Sequence, residues 1–597
     1  MELQQILFPK AERCKESELY FRAKAGERAE EGFLLPKGES ISFDTYFNSF
    51  SIEKWNRYTV VSSVFLKLKL SGKWKIFLLS IELKDGVACE RVLAEHVVET
   101  QTPDVFEFVF EEEEKRGIYA FRAEVLSEAG SIYEGAYCSG LPNIEQQNVK
   151  IGICICTYKR EEYIERNLRT LEDELLSNRN SPLFEHLEIF VVDNGRSLDQ
   201  EALQTDRIHL YPNRNLGGAG GFTRGLIEVY NNSTFHATHV LFMDDDVIIE
   251  PEAIVRTYMI LSLIRKGYED AFIGGAMLSL DQPYMQTESG AVWNGGKIKP
   301  LKSNMDMRKC ENCIYNEYEE DVDYNGWWYC CFPINLVNSD NLPLPLFIRR
   351  DDIEYGLRNM RKSISMNGIG LWHEPFDNKY SAYIEYYNVR NQLITNTFHC
   401  KWYGVRHLRR EMLSKCVQEI MFYRYKSVEL YLQGILDYLK GPNWLAAQDG
   451  EKLHRRIASM GYMAQPVAML EEMQHMKYNQ YDYEQSCCIS NATYRRIRRY
   501  ITFNGLFLPA KGENSIPVAQ ANTLQFYRKK RVLHYNEANR TGFITEKSVI
   551  LSLKYILKMF WVMFLVTCKY KKVQNEYTAE GKMLRTFTFW NQYLKQE

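Results

Sequence analysis

His239-Val-Leu-Phe-Met-Asp-Asp-Asp-Val-Ile-Ile-Glu250 decides how the rest of the chain is read. Apolar residues run up to three consecutive aspartates, Asp244, Asp245 and Asp246. That is the pattern of a buried strand ending at a carboxylate cluster. Three adjacent carboxylates repel one another and call for a compensating cation. Carboxylate oxygens suit hard ions such as Mg²⁺ or Mn²⁺, which commonly bridge to phosphates. A solvated acidic turn is the alternative, so the stretch must be weighed with its surroundings.

Upstream, three more short apolar runs end at chemically useful residues. Ile151-Gly-Ile-Cys-Ile-Cys156 ends at Thr157-Tyr-Lys-Arg160, with a helix expected from about Glu161. Glu188-Ile-Phe-Val-Val192 ends at Asp193-Asn-Gly195, and Ile208-His-Leu-Tyr211 precedes Asn213-Arg-Asn-Leu-Gly-Gly-Ala-Gly-Gly-Phe222. Strands that alternate with helices imply a parallel sheet with right-handed crossovers. Ligands of such sheets bind beyond the carboxyl ends of the strands. Tyr158, Arg160, Asp193, Asn215 and Asp244–Asp246 therefore share one expected rim. Tyr158 could pack on a nucleobase, Arg160 could contact the base or a phosphate, and Asp193 could accept from a base or ribose. The Gly217–Gly221 stretch reads as a loop permitting close backbone approach. It is neither a Walker loop nor a dinucleotide fingerprint, and an ordinary tight turn is its default reading. Together the four ends point to a nucleotide diphosphate with a metal.

The 597 residues suggest three or four domains, and 45% hydrophobic with 25% charged residues is ordinary globular composition. A net charge of −3 gives no bulk basic character, so nucleic acid is not the expected partner. The 39 Tyr and 10 Trp supply flat faces that suit sugar rings or a core. Met1 to Lys10 lacks a basic start and a long apolar run, so no signal peptide is expected there. The 14 Cys show no small-domain disulfide framework, which fits a reducing, cytosolic setting. Residues 1–148 read as a β-sandwich of short strands. Among these, Lys73–Leu83 follows a Ser-Gly turn, and Gly117–Val125 could pair with Val105–Phe110. The aromatic segment Gly38–Phe50 could bind glycan or pack on the next domain. Ser139–Asn148 reads as a linker.

Read in order, Thr157-Tyr-Lys-Arg160, Asp193-Asn-Gly195, Asn215–Gly221 and Asp244-Asp-Asp246 resemble an inverting nucleotide-sugar transferase with the GT-A fold. The resemblance sharpens to the bacterial galactofuranosyltransferases, best known from mycobacterial galactan polymerisation. It is carried by Glu288-Ser-Gly-Ala-Val-Trp293, Trp327-Trp328, Arg350-Asp-Asp-Ile-Glu-Tyr-Gly-Leu-Arg358, Trp372-His-Glu-Pro375 and Tyr386-Tyr-Asn-Val-Arg-Asn391. Ile41–Phe50 with Trp55 resembles that family's N-terminal β-domain, so the likeness covers most of residues 1–400. The family pattern implies that Asp244, Asp246 and His373 hold the metal. An imidazole ligand is tolerated better by Mn²⁺ than by Mg²⁺. Tyr158, Arg160, Asp193, Asn215 and Asp244 would hold the uridine diphosphate part. Glu288, Trp327, Trp328 and Asp351 would line the acceptor and donor-sugar region, with Asp352 the catalytic base. An acidic, Cys-bearing insert before Trp327 has no counterpart in the pattern and leaves acceptor choice open.

The chemistry is consistent on its own terms. A diphosphate leaves with growing negative charge, which a divalent ion stabilises as a Lewis acid. The acceptor hydroxyl needs a base, and Asp352 has carboxylate neighbours, Asp351 and Glu354, that can raise its pKa. A single in-line displacement inverts the anomeric centre. Each residue also has a plainer reading: Asp351, Asp352 and Glu354 as an exposed helix start, His373 as a satisfied core histidine, and Trp327-Trp328 as core. Cys310-Glu-Asn-Cys313 before Cys330-Cys331 invites a zinc site. The second pair is adjacent rather than spaced, so free thiols are the default.

Residues 149–400 are thus read as a catalytic domain and 401–597 as a mainly helical region. Val405–Lys440 has helical periodicity through Leu408, Met412, Cys416, Ile420 and Tyr423 and stops at Gly441-Pro442. Ser548–Lys572 is strongly apolar with basic flanks, but Lys554 and Lys558 interrupt it. It therefore reads as an in-plane membrane helix or, equally, as a buried packing or oligomer helix. The expectation is a cytoplasmic transferase, peripheral to the inner face of the membrane. It would move galactofuranose from UDP-galactofuranose to a growing lipid-linked surface glycan, in cell-wall or capsule synthesis. Another nucleotide sugar with the same fold, such as a rhamnosyl or hexopyranosyl donor, and a non-catalytic assembly scaffold are the alternatives. A homo-oligomer is compatible with either.

Overall fold

The computed structural model describes every residue except 29–31, 112–114, 141–145, 376–380, 488–500, 519–522, 538 and 596–597. Half of the expected linker at 139–148 therefore lies outside the described residues.

The N-terminal region is sheet-rich, as its alternating pattern requires. Its nine-stranded sheet is organised on one hairpin, Val64–Lys84 with Val87–Val109, of 21 and 23 residues. These strands are much longer than the short ones read from the sequence. Ser71-Gly72 is not a turn: the first strand runs through it. Gly72 has φ +97°, and the pairing slips between Leu70 and Gly72. A bulge absorbs the irregularity, and glycine takes that φ without a Cβ penalty. The expected pairing of 105–110 with 117–125 is also not found. Val87–Val109 lies on one edge of Val64–Lys84, while Ile118–Val125 lies on the other. Phe43, Tyr46, Phe47 and Phe50 are fully buried, and the Phe47 ring is 5.5 Å from that of Trp372. The aromatic segment thus packs the N-terminal region onto the central one.

The central region is built on β1 (Ile151–Thr157), β2 (Leu187–Asp193), β3 (Ile208–Pro212) and β4 (His239–Asp244). They are the parallel part of a seven-stranded sheet, in the order β3-β2-β1-β4. Beyond β4 the sheet continues through Tyr329–Pro333, which is antiparallel. Register sets the rim. Thr157 stands opposite Asp193, and Cys156 opposite Asp244. Buried on both faces, these strands are near-continuous apolar runs.

Helix α1 (Gly217–Asn231) corrects the reading of the glycines as a loop. They begin a helix laid close on β1. A Cβ on Gly221 or Gly225 would overlap the sulfurs of Cys156 and Cys154. Gly217, at φ +68°, would meet the carbonyl of Phe347. The glycines thus serve close helix–strand approach and one left-handed backbone position.

A second, five-stranded sheet carries the rest of the site. In it β5 (Val247–Ile249) pairs antiparallel with β6 (Gly370–His373), and Val247 stands opposite His373. Ala276–Ser279 runs parallel to β6 and pairs with Met285–Glu288. Helix α2 (Asp351–Asn359) and helix α3 (Ile384–His399) follow.

The C-terminal region is mainly helical with one addition. A four-stranded sheet contains β7 (Arg531–Asn536) and β8 (Thr541–Glu546). The periodic stretch 405–440 is two helices, Val405–Met421 and Tyr425–Tyr438. Tyr423, read as one of its periodic residues, takes φ +56° and breaks the run. Helix α4 (Gly450–Ser459) follows, and helix α5 (Val549–Glu580) extends the expected apolar helix to 32 residues.

Candidate active site

Three expected metal ligands meet. Ligand atoms of Asp244, Asp246 and His373 all lie within 4.8 Å of one another. His373 Nε2 is 3.4 Å from Asp246 Oδ1 and 3.8 Å from Asp244 Oδ2. His373 Nδ1 lies 2.6 Å from the Glu374 carbonyl. A carbonyl only accepts, so Nδ1 carries the hydrogen, and Nε2 is the ring nitrogen that stands near the two carboxylates. Strand pairing makes this arrangement: β4 ends at Asp244, and β5 begins opposite His373. Two carboxylates and one imidazole suit a divalent cation. Among the described residues this is the only such cluster, and the four cysteines of the zinc reading do not join one. Cys330 and Cys331 are neighbours in a strand, so they point to opposite faces.

Arg160 is also engaged with the acidic cluster itself. Its Nη1 bridges Asp245 Oδ1 at 3.0 Å and Asp246 Oδ2 at 2.7 Å, so it ties the acidic knot together. Burial raises the Asp245 pKa, and the Arg160 charge opposes that rise.

A cavity of about 360 Å³ opens beside the cluster. Tyr158, Arg160, Asn215 and Asp244 line it, as expected. Asp193 serves from behind: its oxygens accept backbone N–H from Gly195, Ser197 and Leu198 at 2.8, 2.7 and 2.9 Å, shaping the turn. Its neighbour Asn194 faces the cavity instead, and donates to the Gly217 carbonyl at 3.0 Å. Tyr383 and His454 also line the cavity and were missed in the sequence. His454 comes from α4, stacked 4.6 Å from the Phe347 ring. Asp449 at the start of α4 pairs with Arg214 at 2.6 Å. Nothing in the sequence of that stretch marks a site residue.

The acidic pair Asp351 and Asp352 begins α2, where helix N-terminal amides favour negative charge. The two carboxylates have different neighbours. Asp351 Oδ2 lies 3.7 Å from where a Cβ on Gly218 would stand, and it feels the charge of Asp244. Asp352 acts on Glu288 and Tyr324 instead. So the charge of Asp244 reaches Asp351, and the charge of Asp352 reaches Glu288 and Tyr324. Burial, then the charge of Asp352, pushes Asp351 up to about 8. Burial also raises Asp352, against the pull of the Ile353 amide, Arg350 and Arg349. Glu288 is pushed up to about 8 by burial and then by Asp352. Glu354 does not contribute to that rise. It is bound to Arg358 at 2.8 Å and His399 at 3.2 Å, and those partners hold it down at about 2 despite its burial.

A strained loop aims this helix. Phe347, Arg349 and Arg350 have φ +73°, +68° and +71°. Left-handed backbone at bulky residues persists only when the surroundings over-determine it. Asn391 of α3 supplies much of that: its amide donates to the carbonyls of Leu346, Ile348 and Arg349 at 3.1, 2.8 and 2.9 Å. Arg390 adds a bond to Leu346 at 2.7 Å. Replacing Asn391 with Ala is expected to cost about 3 kcal/mol of stability, because buried carbonyls lose their partners. Chemical denaturation checks this, and an unchanged midpoint would remove Asn391 from that role.

Trp327 and Trp328 are each only 6% exposed. Trp327 packs against Phe222, Phe242 and Tyr355, and the Trp328 indole N–H donates to the Gly275 carbonyl at 3.0 Å. Their surroundings are those of core, the alternative left open from the sequence. The pair immediately precedes the buried strand Tyr329–Pro333.

Known proteins resemble this chain in the same order of parts. Residues 3–138 match the family described as galactofuranosyltransferase 2 N-terminal, and residues 152–312 match glycosyl transferase family 2. Galactofuranosyltransferase GlfT2 of Mycolicibacterium smegmatis is 27% identical over 447 residues, 68% of this chain and 65% of that protein. The protein of the same name from Mycobacterium tuberculosis is 27% identical over 442 residues, 67% of this chain and 65% of that protein. The aligned part thus spans just under two thirds of these relatives. Two successive regions of the chain thus match, in order, the galactofuranosyltransferase 2 N-terminal model and the glycosyl transferase family 2 model.

Proposed function

We propose that this chain is an inverting, metal-dependent glycosyltransferase that moves galactofuranose from UDP-galactofuranose to a lipid-linked surface glycan. The observation that carries the reading is the meeting of Asp244, Asp246 and His373 beside a nucleotide-sized cavity that Asp244 lines. The choice of galactofuranose rests on the similarity to the GlfT2 proteins.

Asp244, Asp246 and His373 would hold a divalent cation, Mn²⁺ or Mg²⁺. When bound, that ion supplies Lewis-acid stabilisation of the departing diphosphate. Tyr158, Asn194 and Asn215 line the cleft for the uridine end, and Asp193 shapes the turn that carries Asn194. Asp352 accepts the proton of the acceptor hydroxyl as its oxygen bonds to the anomeric carbon and the sugar–phosphate bond breaks. One displacement turns an α-linked donor into a β-linked product. Glu288, held largely protonated at neutral pH, can donate a hydrogen bond to the acceptor beside Asp352.

The test is transfer by purified protein from a panel of nucleotide sugars to synthetic lipid-linked acceptors, with Mn²⁺ or EDTA. Metal-dependent use of UDP-galactofuranose is expected. Turnover of another donor alone would overturn the donor assignment. Absence of both turnover and UDP–Mn²⁺ binding would favour a scaffold.

Peripheral attachment to the inner membrane face belongs to the same proposal. One face of α5 packs on the helical region through Met559, Val562, Val566 and Tyr570. The other presents Ile550, Leu557 and Phe564 at 81%, 70% and 65% exposure, with Trp561 and Phe560 beside them. By length and composition the helix could cross a bilayer, but a third of its most apolar window is buried in the protein. With one face packed on the protein and the other apolar and exposed, α5 is suited to lie in the plane of the interface. Replacing Leu557 and Phe564 together with Glu is expected to reduce sedimentation with anionic vesicles at least about tenfold, because each buried apolar side chain contributes roughly 2 kcal/mol. Both are exposed, so thermal stability should not change. Undiminished vesicle binding would reject α5 as the contact.

A further inference from the structure

A loop at residues 501–508 carries a second group of exposed apolar side chains, outside the catalytic site. Ile501, Phe503 and Phe507 are 76%, 50% and 63% exposed, whereas Asn504, Gly505 and Leu506 between them are buried. The buried residues anchor the loop. Asn504 Nδ2 donates to the Met421 carbonyl at 3.2 Å. Lys547 donates from Nζ to the carbonyls of Gly505 and Leu508 at 2.8 and 2.5 Å. Phe503 and Asn504 both take left-handed backbone, at φ +45° and +55°. Phenylalanine holds that backbone only where its surroundings impose it. Large apolar side chains left exposed this close together mark a contact surface.

The loop is continuous with the exposed face of α5. Lys547, which ties down its backbone, stands two residues ahead of the helix. Phe503 and Ile556 of α5 line one small apolar cavity, together with Val417 and Ile420. Beside that contact α5 exposes Ile550 and Leu553.

The charge around the loop selects the partner. Residues 501–531 hold five cations, Lys511, Arg528, Lys529, Lys530 and Arg531, against one acid, Glu513. Glu513 is ion-paired with Arg531. Lys511 and Lys530 are exposed, and backbone bonds from Lys511 to Arg528 and from Lys530 to Gly512 hold the two basic stretches side by side. Arg528 Nε donates to the Pro509 carbonyl at 3.0 Å, which keeps its guanidinium at the loop. A second copy of the chain docked here about a twofold axis would set these cations against their own copies, and juxtaposed like charges oppose association. An anionic lipid surface attracts the same cations and takes up the apolar side chains among them.

We propose that residues 501–508 form a second membrane-insertion loop, with Ile501, Phe503 and Phe507 entering an anionic lipid surface beside α5 and Lys511, Arg528 and Lys530 meeting its phosphates. The proposal deepens the peripheral attachment proposed above and rests on it, but not on the identity of donor or acceptor.

The experiment is sedimentation of the full chain with two kinds of vesicle, phosphatidylcholine alone and phosphatidylcholine containing phosphatidylglycerol. The unaltered chain is expected to prefer the second. Phe503→Asn combined with Phe507→Ser should weaken binding to the mixed vesicles at least about tenfold, because two apolar side chains no longer enter the lipid. Asparagine accepts the left-handed backbone more readily than phenylalanine, so the loop should keep its shape. Ile501→Ser, which leaves that backbone untouched, should weaken binding in the same direction. Lys511→Glu combined with Lys530→Glu should remove the preference for the anionic vesicles. Undiminished vesicle binding in both apolar variants would overturn the proposal. Equal binding of the unaltered chain to the two vesicle types would overturn the anionic partner. A loop variant that changed the oligomeric state in sedimentation velocity, with vesicle binding intact, would overturn it in favour of a second copy. The underlying reading fails separately. Loss of binding in the Leu557 and Phe564 variant alone would reject the loop and keep α5, whereas no binding by the unaltered chain would reject the attachment itself.

Discussion

Replacing Asp352 with Asn is expected to lower kcat by about 10²–10⁴-fold, the range a positioned general base supplies. UDP and Mn²⁺ should bind the variant as they bind the unaltered protein, because Asp352 belongs neither to the metal cluster nor to the lining of the nucleotide cavity. Asn keeps the acceptor oxygen that the Ile353 amide uses at 2.8 Å, so the helix start survives. Asp351→Asn provides the contrast. It lies on the Gly218 and Asp244 side, and its loss should weaken donor binding more than it slows the proton transfer. Steady-state kinetics with acceptor and donor varied separately distinguish the two. Near-normal kcat in the Asp352 variant would move the base elsewhere.

The second large effect is expected at Asp246. Asp246→Ala should abolish the Mn²⁺-dependent part of UDP binding, bringing affinity to the level measured in EDTA, with no further loss when EDTA is added. Transfer should fall by about 10³-fold or more, because Lewis-acid stabilisation of a leaving diphosphate is worth several kcal/mol and each 1.4 kcal/mol is tenfold. The partners it would lose include His373 Nε2 at 3.4 Å and Arg160 at 2.7 Å. Arg160 keeps Asp245 at 3.0 Å, so the knot should stay folded. A titration that remains metal-dependent in the variant would take Asp246 out of the ligand set.

The sequence by itself determined the parallel strands and their ends. Buried strands must be apolar throughout, and the residues after them must be polar if a ligand is to bind there, so Ile151–Cys156 and His239–Asp244 declared both fold and rim. Ordered motifs then singled out Asp244, Asp246, His373 and Asp352 across more than 120 positions. What only the tertiary structure decided was direction and contact. Adjacent carboxylates such as Asp351 and Asp352 are indistinguishable in a sequence, yet Asp351 lies beside Gly218 while the charge of Asp352 falls on Glu288. Glycines 217–221 and Gly72 read as turns because glycine marks any unusual backbone. Here they serve a tight helix–strand approach and a bulge, and each depends on what lies opposite: Cys156, Phe347 or the neighbouring strand. Arg160 and Trp327 carry chemistry that suits a ligand, but partners distant in the chain had already engaged them. His454 entered the site from far beyond the last motif, because α4 folds back on Phe347. Local pattern reports which face of a segment is buried. The identity of the atom on the other side is a property of the folded chain alone.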